Sequence, residues 1–559
     1  MQDLLQTMIE AKQLSASDAK ALELALGRGE IPSLNTEVDV LRWLAEEYEI
    51  PYTDLVDIKP DPALLSRFPA RVLLKHEILP LQRDEDRILV ATSRLFESQG
   101  FDTLRLLTGE SFTPILAPAE AIRREMKKRL GVGADTLDSI EETKGLEVVD
   151  ERDESDVDLE GAQDASIIRF VNQILADAIA MRSTDVHLEP FEDELQIRYR
   201  IDGILHAVPV PQQVKRFQSA IVSRVKILSN LDIAEKRLPQ DGRIKIRHDK
   251  SEIDVRVSVI PMLHGEAVVL RLLHQDTALR GLTELQMGER ENRILRAVLG
   301  LPHGIMLVTG PTGSGKTTTL YAALSEINDM ERKIITIEDP IEYHLKGVNQ
   351  IQVSEKSGLT FARGLRSILR HDPDVLLVGE IRDGETAQIA VQASLTGHLV
   401  FSTLHTNDAP GSLTRLVDMG VEPYLIASSL EAVLAQRLAR IICPHCKRPD
   451  TSAPAQAYRR ELSMGNGRTV YCGAGCEACR TTGFLGRRGV FELMAITEEI
   501  RELLLASTST GPIRETARRQ GMRTLREDGW RLVGEGATTV AEVLRVTKDE
   551  TINGEAAIA

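Results

Sequence analysis

The sequence predicts a multidomain α/β protein organised around a mostly parallel sheet, and three observations lead there. Between residues 286 and 442 the strand-like runs "IMLVTG", "KIITIE", "DVLLVGE" and "HLVFSTL" alternate with helical stretches; such alternation builds parallel sheets. The first of these runs leads into the glycine-rich "GPTGSGKTTTL", Gly310 to Leu320, which has the strand–turn–helix context of a phosphate-binding loop. At 559 residues the chain is also too long for one core, and length alone suggests roughly three to four domains.

Taken in chain order, residues 1–135 begin with a helical stretch in which "SASDAKALELALGRG" offers serine caps, and continue through strand-like "DRILVATS" to helix-like "PAEAIRREMKKRL". Residues 136–164 carry most of the chain's acidity. The formal charge of the whole is -16, and the stretch from Asp138 to Asp164 alone contributes -10. With few large apolar residues and no clear period, it reads as a flexible acidic linker. In 165–285, "ASIIRFVNQILADAIAM" has helical spacing, while "DELQIRYRIDGIL" and "EIDVRVSVI" alternate like strands, so a second α/β domain is expected. The nucleotide-binding core spans 286–442, a cysteine-bearing insertion 443–489, and a helical region 490–559. No run approaches the roughly 18 apolar residues of a membrane span, and the start lacks a signal-peptide layout, so a cytoplasmic protein is expected.

In the loop itself, Gly310, Pro311, Thr312, Gly313, Ser314, Gly315, Lys316, Thr317 and Thr318 are the candidate nucleotide-binding residues. Glycines let successive N–H groups turn inward on a phosphate at a helix N-terminus, Lys316 reaches the β- and γ-phosphates, and Thr317 suits Mg²⁺. The second strand ends in "ITIEDPIEY", bringing Glu338, Asp339 and Glu342 to the carboxyl edge of the sheet, where ligands bind. A carboxylate there orients water or holds the metal's water shell; the competing reading is a solvated acidic loop. "DVLLVGEIRD" then supplies Glu380, with glycine where many P-loop proteins carry an aspartate, against the alternative of an ordinary salt-bridged loop. "TGHLVFSTLHTND" carries His398 and His405, residues that serve structure as readily as chemistry. Arg363, Arg366 and Arg370 share one helical face, while Arg256 and Arg271 lie within apolar strand-like runs, as phosphate-directed cations or as buried salt bridges. Finally, "CPHC" (Cys443, Cys446) and "CEAC" (Cys476, Cys479) give four thiolates with structural-zinc spacing; two reduced pairs are the alternative, and Cys472 is a bystander.

Together with "STDVHLEPFEDELQIRYRIDG", "DIAEKRLPQDGRI" and "HGEAVVLRLL", these motifs resemble the secretion ATPases of type II secretion systems and the related type IV pilus assembly ATPases, over about residues 165 to 550. The resemblance implies a RecA-like ATPase core, a preceding PAS-like domain, a zinc insertion, and an N-terminal domain that docks on a membrane-anchored partner. It places the nucleotide-binding lysine on Lys316, the catalytic glutamate on Glu338, the Walker B glutamate on Glu380 and phosphate-sensing arginines on Arg256 and Arg271. ATP, Mg²⁺ and Zn²⁺ are the implied cofactors. The implied assembly is a homohexamer at the cytoplasmic face of the inner membrane, working with a platform protein. Some relatives bind a cyclic dinucleotide through R-L-G-containing repeats, which do not occur near this N-terminus. The alternative function is a nucleic-acid translocase with a zinc module, but a pI of about 5.4 and 4% aromatic residues supply neither a basic face nor stacking rings, so no nucleic-acid partner is expected.

Overall fold

The computed structural model describes residues 2–28, 36–56, 60–65, 67–68, 70–84, 87–130, 146–148, 163–248, 251–274, 281–329, 331–452, 455, 469–507 and 509–547. It divides into two compact units, Met1–His274 and Gln275–Ala559.

In the first unit the helix Ala16–Arg28 starts where the serines predict, with the Ser15 hydroxyl accepting from the Asp18 N–H at 3.1 Å. The helix Glu37–Glu47 has a full capping box between Thr36 and Asp39. A three-stranded sheet follows, with β1 (Ile78–Asp84) antiparallel to β2 (Arg87–Thr92) and β2 parallel to β3 (Ser111–Leu116).

The second sheet of this unit is antiparallel throughout. It contains β4 (Leu146–Val148), β5 (Ser183–Pro190), β6 (Leu195–Ile201), β7 (Ile204–Val208), β8 (Gln240–His248), β9 (Ser251–Met262) and β10 (Gly265–His274), in the order β4-β8-β9-β10-β5-β6-β7. Period-two alternation gives it an apolar face, on which Val186, Ile197, Tyr199, Val255, Val257, Val268 and Leu270 pack in one core with residues of the helices Gln163–Ala180 and Gln218–Leu228. Two expectations are corrected here. Leu146–Val148, within the stretch read as linker, pairs with β8; the rest of 136–164, apart from the start of the helix at Gln163, lies outside the described residues. Arg256 and Arg271 are not buried among the apolar residues of their strands. They alternate onto the opposite, polar face, where Arg256 is half-buried and Arg271 exposed.

The second unit holds the sheet that carries the phosphate loop: β11 (Gly304–Thr309), β12 (Ile334–Glu338), β13 (Asn349–Gln352), β14 (Val375–Val378), β15 (Leu399–Leu404), β16 (Leu430–Ile442) and β19 (Phe484–Ala495). The order is β13-β12-β14-β15-β11-β16-β19, parallel except for the antiparallel β16–β19 pair. Strands β11, β12, β14 and β15 are buried at every position, as strands covered on both faces must be. Two apolar clusters sandwich them, one containing Ile337, Leu365 and Val400, the other Val308, Tyr321 and Phe401. The long β16 delivers Cys443 just past its end, and β17 (Lys447–Pro449) pairs with β18 (Tyr471–Gly473) in the cysteine-bearing stretch. The helical C-terminal region is realised as Glu498–Ala506, Thr510–Arg519, Leu525–Gly534 and Val540–Val546.

Candidate nucleotide site and metal centre

The loop Gly310–Gly315 leaves the end of β11 and enters the helix Lys316–Ile327. Gly315 has φ 88°, the left-handed region, and a Cβ there would lie 2.8 Å from Gln436 Nε2, so glycine is required on two grounds. Pro311, Thr312 and Gly313 are exposed, Thr317 and Thr318 half-buried. The Lys316 ammonium curls back on the loop, donating to the carbonyls of Gly310 (2.8 Å) and Pro311 (3.2 Å). Burial lowers its pKa, with Glu380 opposing that shift and Arg437 adding to it. The Ser314 hydroxyl is buried without a hydrogen-bond partner among the described residues. An unmet polar atom in a glycine-rich turn at a helix N-terminus, with a lysine beside it, fits a nucleoside triphosphate.

Glu380 stands just past β14. Its Oε1 meets Arg382 at 2.5 Å and its Oε2 lies 3.4 Å from His405 Nε2, at the end of the adjacent β15. The glycine before it has a steric cause. A Cβ on Gly379 would come within 3.2 Å of both the Glu338 Cα and the Ile337 carbonyl oxygen, so the ends of β12 and β14 close up only around glycine. Hydroxyls of Ser402 and Thr403 donate to the Val378 and Gly379 carbonyls at 2.7 Å each, fixing the strand end that presents Glu380.

Glu338 ends β12 inside the protein. Only 4% exposed, it accepts from Tyr321 on Oε2, and from Thr336 (2.6 Å) and Gln350 (3.2 Å) on Oε1. Both of its oxygens are thus engaged by protein donors, whereas Glu342, four residues on, is half-buried.

The two histidines separate. His405 joins Glu380, whereas His398, at the opposite end of β15, places Nδ1 2.8 Å from the Ala393 carbonyl oxygen. Arg363, Arg366 and Arg370 are all exposed, and Arg366 pairs with Glu385 at 2.6 Å. In the first unit, Arg256 is cross-strand neighbour to Arg271, which is neighbour in turn to Asp185; Arg271 Nε sits 2.9 Å from Asp185 Oδ1.

In the loop after β15 the sequence singles out His405 but not the residues that follow it, yet every residue from 405 to 409 touches a different element. His405 meets Glu380; Thr406 exchanges hydrogen bonds with Thr309 at the end of β11; Asn407 accepts from Arg437 on β16; Asp408 accepts from Arg514; and the Ala409 N–H donates to the buried Glu492. Only the small polar composition of "HTNDA" hinted at this.

Cys443, Cys446, Cys476 and Cys479 converge, all four sulfurs lying within 4.8 Å of one another. Three of the separations, Cys443–Cys476, Cys446–Cys479 and Cys476–Cys479, are 3.7 Å. A tetrahedral site with metal–sulfur bonds of about 2.3 Å has edges of about 3.8 Å, so the donor set fits zinc. Backbone N–H groups of Cys476 and Gly483 donate to Cys479 Sγ, as befits a thiolate ligand. Cys472 sits on β18 opposite Arg448, outside the cluster.

Residues 160–545 match the family model described as Type II/IV secretion system protein, and residues 48–133 match the MshEN domain. The chain is 52% identical over 392 residues to Type II secretion system protein E of Pseudomonas aeruginosa, covering 70% of this chain and 78% of that protein. It is 41% identical over 512 residues to the Type IV pilus assembly ATPase PilB of Myxococcus xanthus, covering 90% of each. Among solved structures, the Legionella pneumophila ATPase DotB aligns with a TM-score of 0.50 and 21% identity over 67% of this chain and 94% of that one, a likeness of fold.

Proposed function

The chain belongs to the Type II/IV secretion system protein family, and on that footing we propose that it is an ATPase motor that hydrolyses ATP to drive assembly of pilin-like subunits, in type II secretion or type IV pilus extension. The observation that carries this reading is the convergence of Lys316, Glu380 and His405 at one sheet edge, linked by the Glu380–His405 contact and by the electrostatic pull of Glu380 on Lys316. The backbone of Gly310–Gly315 would hold the phosphates, with Lys316 leaving its two carbonyl partners for them, and Thr317 with Glu380 would hold Mg²⁺, which when bound supplies charge neutralisation for phosphoryl transfer. Glu338, held in its three-donor cage, orients the nucleophilic water from the neighbouring strand end. The test is phosphate release: Lys316→Ala should abolish it in a folded protein, and near-parental turnover would remove the loop from the mechanism.

In this reading the four cysteines bind zinc as a closed structural site, since four thiolates leave no open position. Arg256 and Arg271 serve as phosphate-sensing cations, supported by their adjacency on the polar sheet face. Supplied arginines are worth roughly 10³- to 10⁵-fold in other P-loop systems. Replacing either by alanine should therefore reduce turnover with little loss of melting temperature; the reverse pattern marks a structural pair. The working form is a homohexamer at the cytoplasmic face of the inner membrane, held there by its platform protein and by docking of residues 1–135 on a membrane-anchored partner. No helix among the described residues is long and apolar enough to cross a membrane. Nothing in the fold or the comparisons favours the nucleic-acid translocase.

A further inference from the structure

Strand β16 runs parallel to β11, with Ala435 opposite Thr309, so Gln436 and Arg437 continue alongside the first residues of the phosphate loop. Gln436 accepts from the Thr319 hydroxyl at 2.7 Å and anchors the helix behind the loop. Arg437 is different. The residue is half-buried, and among the described residues every hydrogen bond its guanidinium makes goes to a neutral oxygen: the Gln436 carbonyl (3.2 Å), the Asn407 carbonyl (3.2 Å) and Asn407 Oδ1 (3.3 Å). Among the described residues it forms no ion pair. A Cβ built on Gly310 would lie 3.1 Å from Arg437 Nη1 and 2.7 Å from the unpartnered Ser314 hydroxyl, so the guanidinium borders the loop where its buried polar atom is unmet. It is also close enough to Lys316 to oppose that residue's charge.

In direct contact Arg437 has only neutral oxygens, while the carboxylates of Glu492 and Asp408 act on its charge from beyond ion-pair distance and a second cation, Lys316, stands near; a cation so placed gains from an anion bound directly to it. We propose that Arg437 is a second phosphate-binding cation of the ATP site, acting with Lys316 from within the same chain. The assignment rests on the reading that Gly310–Thr317 holds a nucleoside triphosphate. Lys316 approaches from the helix side of the loop and Arg437 from the β16 side. Because Arg437 is also hydrogen-bonded to Asn407, two residues after His405, a shift of its guanidinium toward phosphate changes the contacts of the loop that touches Glu380.

The test is equilibrium binding of ADP and of the β,γ-imido analogue of ATP to the full chain and to Arg437→Gln, Arg437→Lys and Lys316→Ala, with melting curves recorded without nucleotide. Losing one charge-assisted contact should weaken binding roughly ten- to hundredfold in Arg437→Gln, for at least the triphosphate analogue. Arg437→Lys, which keeps the charge but cannot fork onto both Asn407 oxygens, should recover most of that loss. Unchanged affinity for both nucleotides in Arg437→Gln overturns the proposal. So does an Arg437→Lys variant as weak as Arg437→Gln, since Arg437 would then act by holding Asn407. Parental nucleotide affinity in Lys316→Ala would instead sink the underlying assignment of the loop, a separate outcome.

Discussion

His405 Nε2 lies 3.4 Å from Glu380 Oε2, joining the ends of two adjacent strands at the carboxyl edge of the sheet. With Arg382 on the other carboxylate oxygen, Glu380 is held between two side chains that are themselves half or more exposed. His405→Ala leaves Arg382 in place, so nucleotide binding should persist while turnover falls roughly 10- to 100-fold through loss of alignment. A variant with parental turnover would make His405 a bystander.

Glu338 presents the opposite case, a carboxylate surrounded by donors. Glu338→Gln places an amide N–H₂ against hydroxyls and an amide that already donate, which should lower stability by about 1–3 kcal/mol besides slowing turnover. Tyr321→Phe removes one donor, and through it some of the carboxylate's orientation. Thermal unfolding and phosphate release on both variants check this. If Glu338→Gln hydrolyses ATP at the parental rate, the water-directing role passes to the half-buried Glu342.

The cysteine cluster predicts one tightly held zinc per chain. Metal analysis should find it undiminished in Cys472→Ser and lost in Cys446→Ser, with local unfolding of the 443–489 stretch, because such sites contribute folding energy directly. A metal-free parent purified without chelator would contradict the assignment.

Glu492 gives a pH signature. Burial pushes its carboxyl from an ordinary 4.5 up to about 7, against the backbone N–H groups of Ala409 and Leu525 that favour the ionised form. The folded chain therefore retains a proton that the unfolded chain has released. The associated stability is present below pH 4.5 and lost as pH rises through 7, a span worth roughly 3 kcal/mol. Glu492→Gln should flatten the fall in melting temperature between pH 5 and 8; an unchanged slope would assign that fall to other groups.

The parallel sheet was legible because its strands are continuous apolar runs bounded by glycine and acid, and the phosphate loop because its spacing is specific. The cysteines were legible for the same reason. The environment of Glu338 was not: Thr336 stands two residues back on its own strand, but Tyr321 comes from the helix after the phosphate loop and Gln350 from β13, and sequence distance hides their meeting. Arg256 and Arg271 were misplaced because a run such as "EIDVRVSVI" shows that residues alternate, while the polar face appears only when five strands align their rows. Arg437 was invisible for a related reason, since only the β11–β16 register sets it beside Gly310.

The most direct measurement is steady-state phosphate release by the full chain and by Glu380→Gln, each beside a binding curve for ATP. The account predicts hydrolysis by the parent, at a rate per chain that rises with protein concentration as rings assemble. In Glu380→Gln it predicts ATP affinity within a few-fold of the parent and turnover reduced by roughly 10²-fold or more, because the amide keeps the side chain's shape but not the charge needed beside Mg²⁺. Parental turnover in Glu380→Gln, or a parent that binds ATP and never hydrolyses it at any concentration, would contradict it.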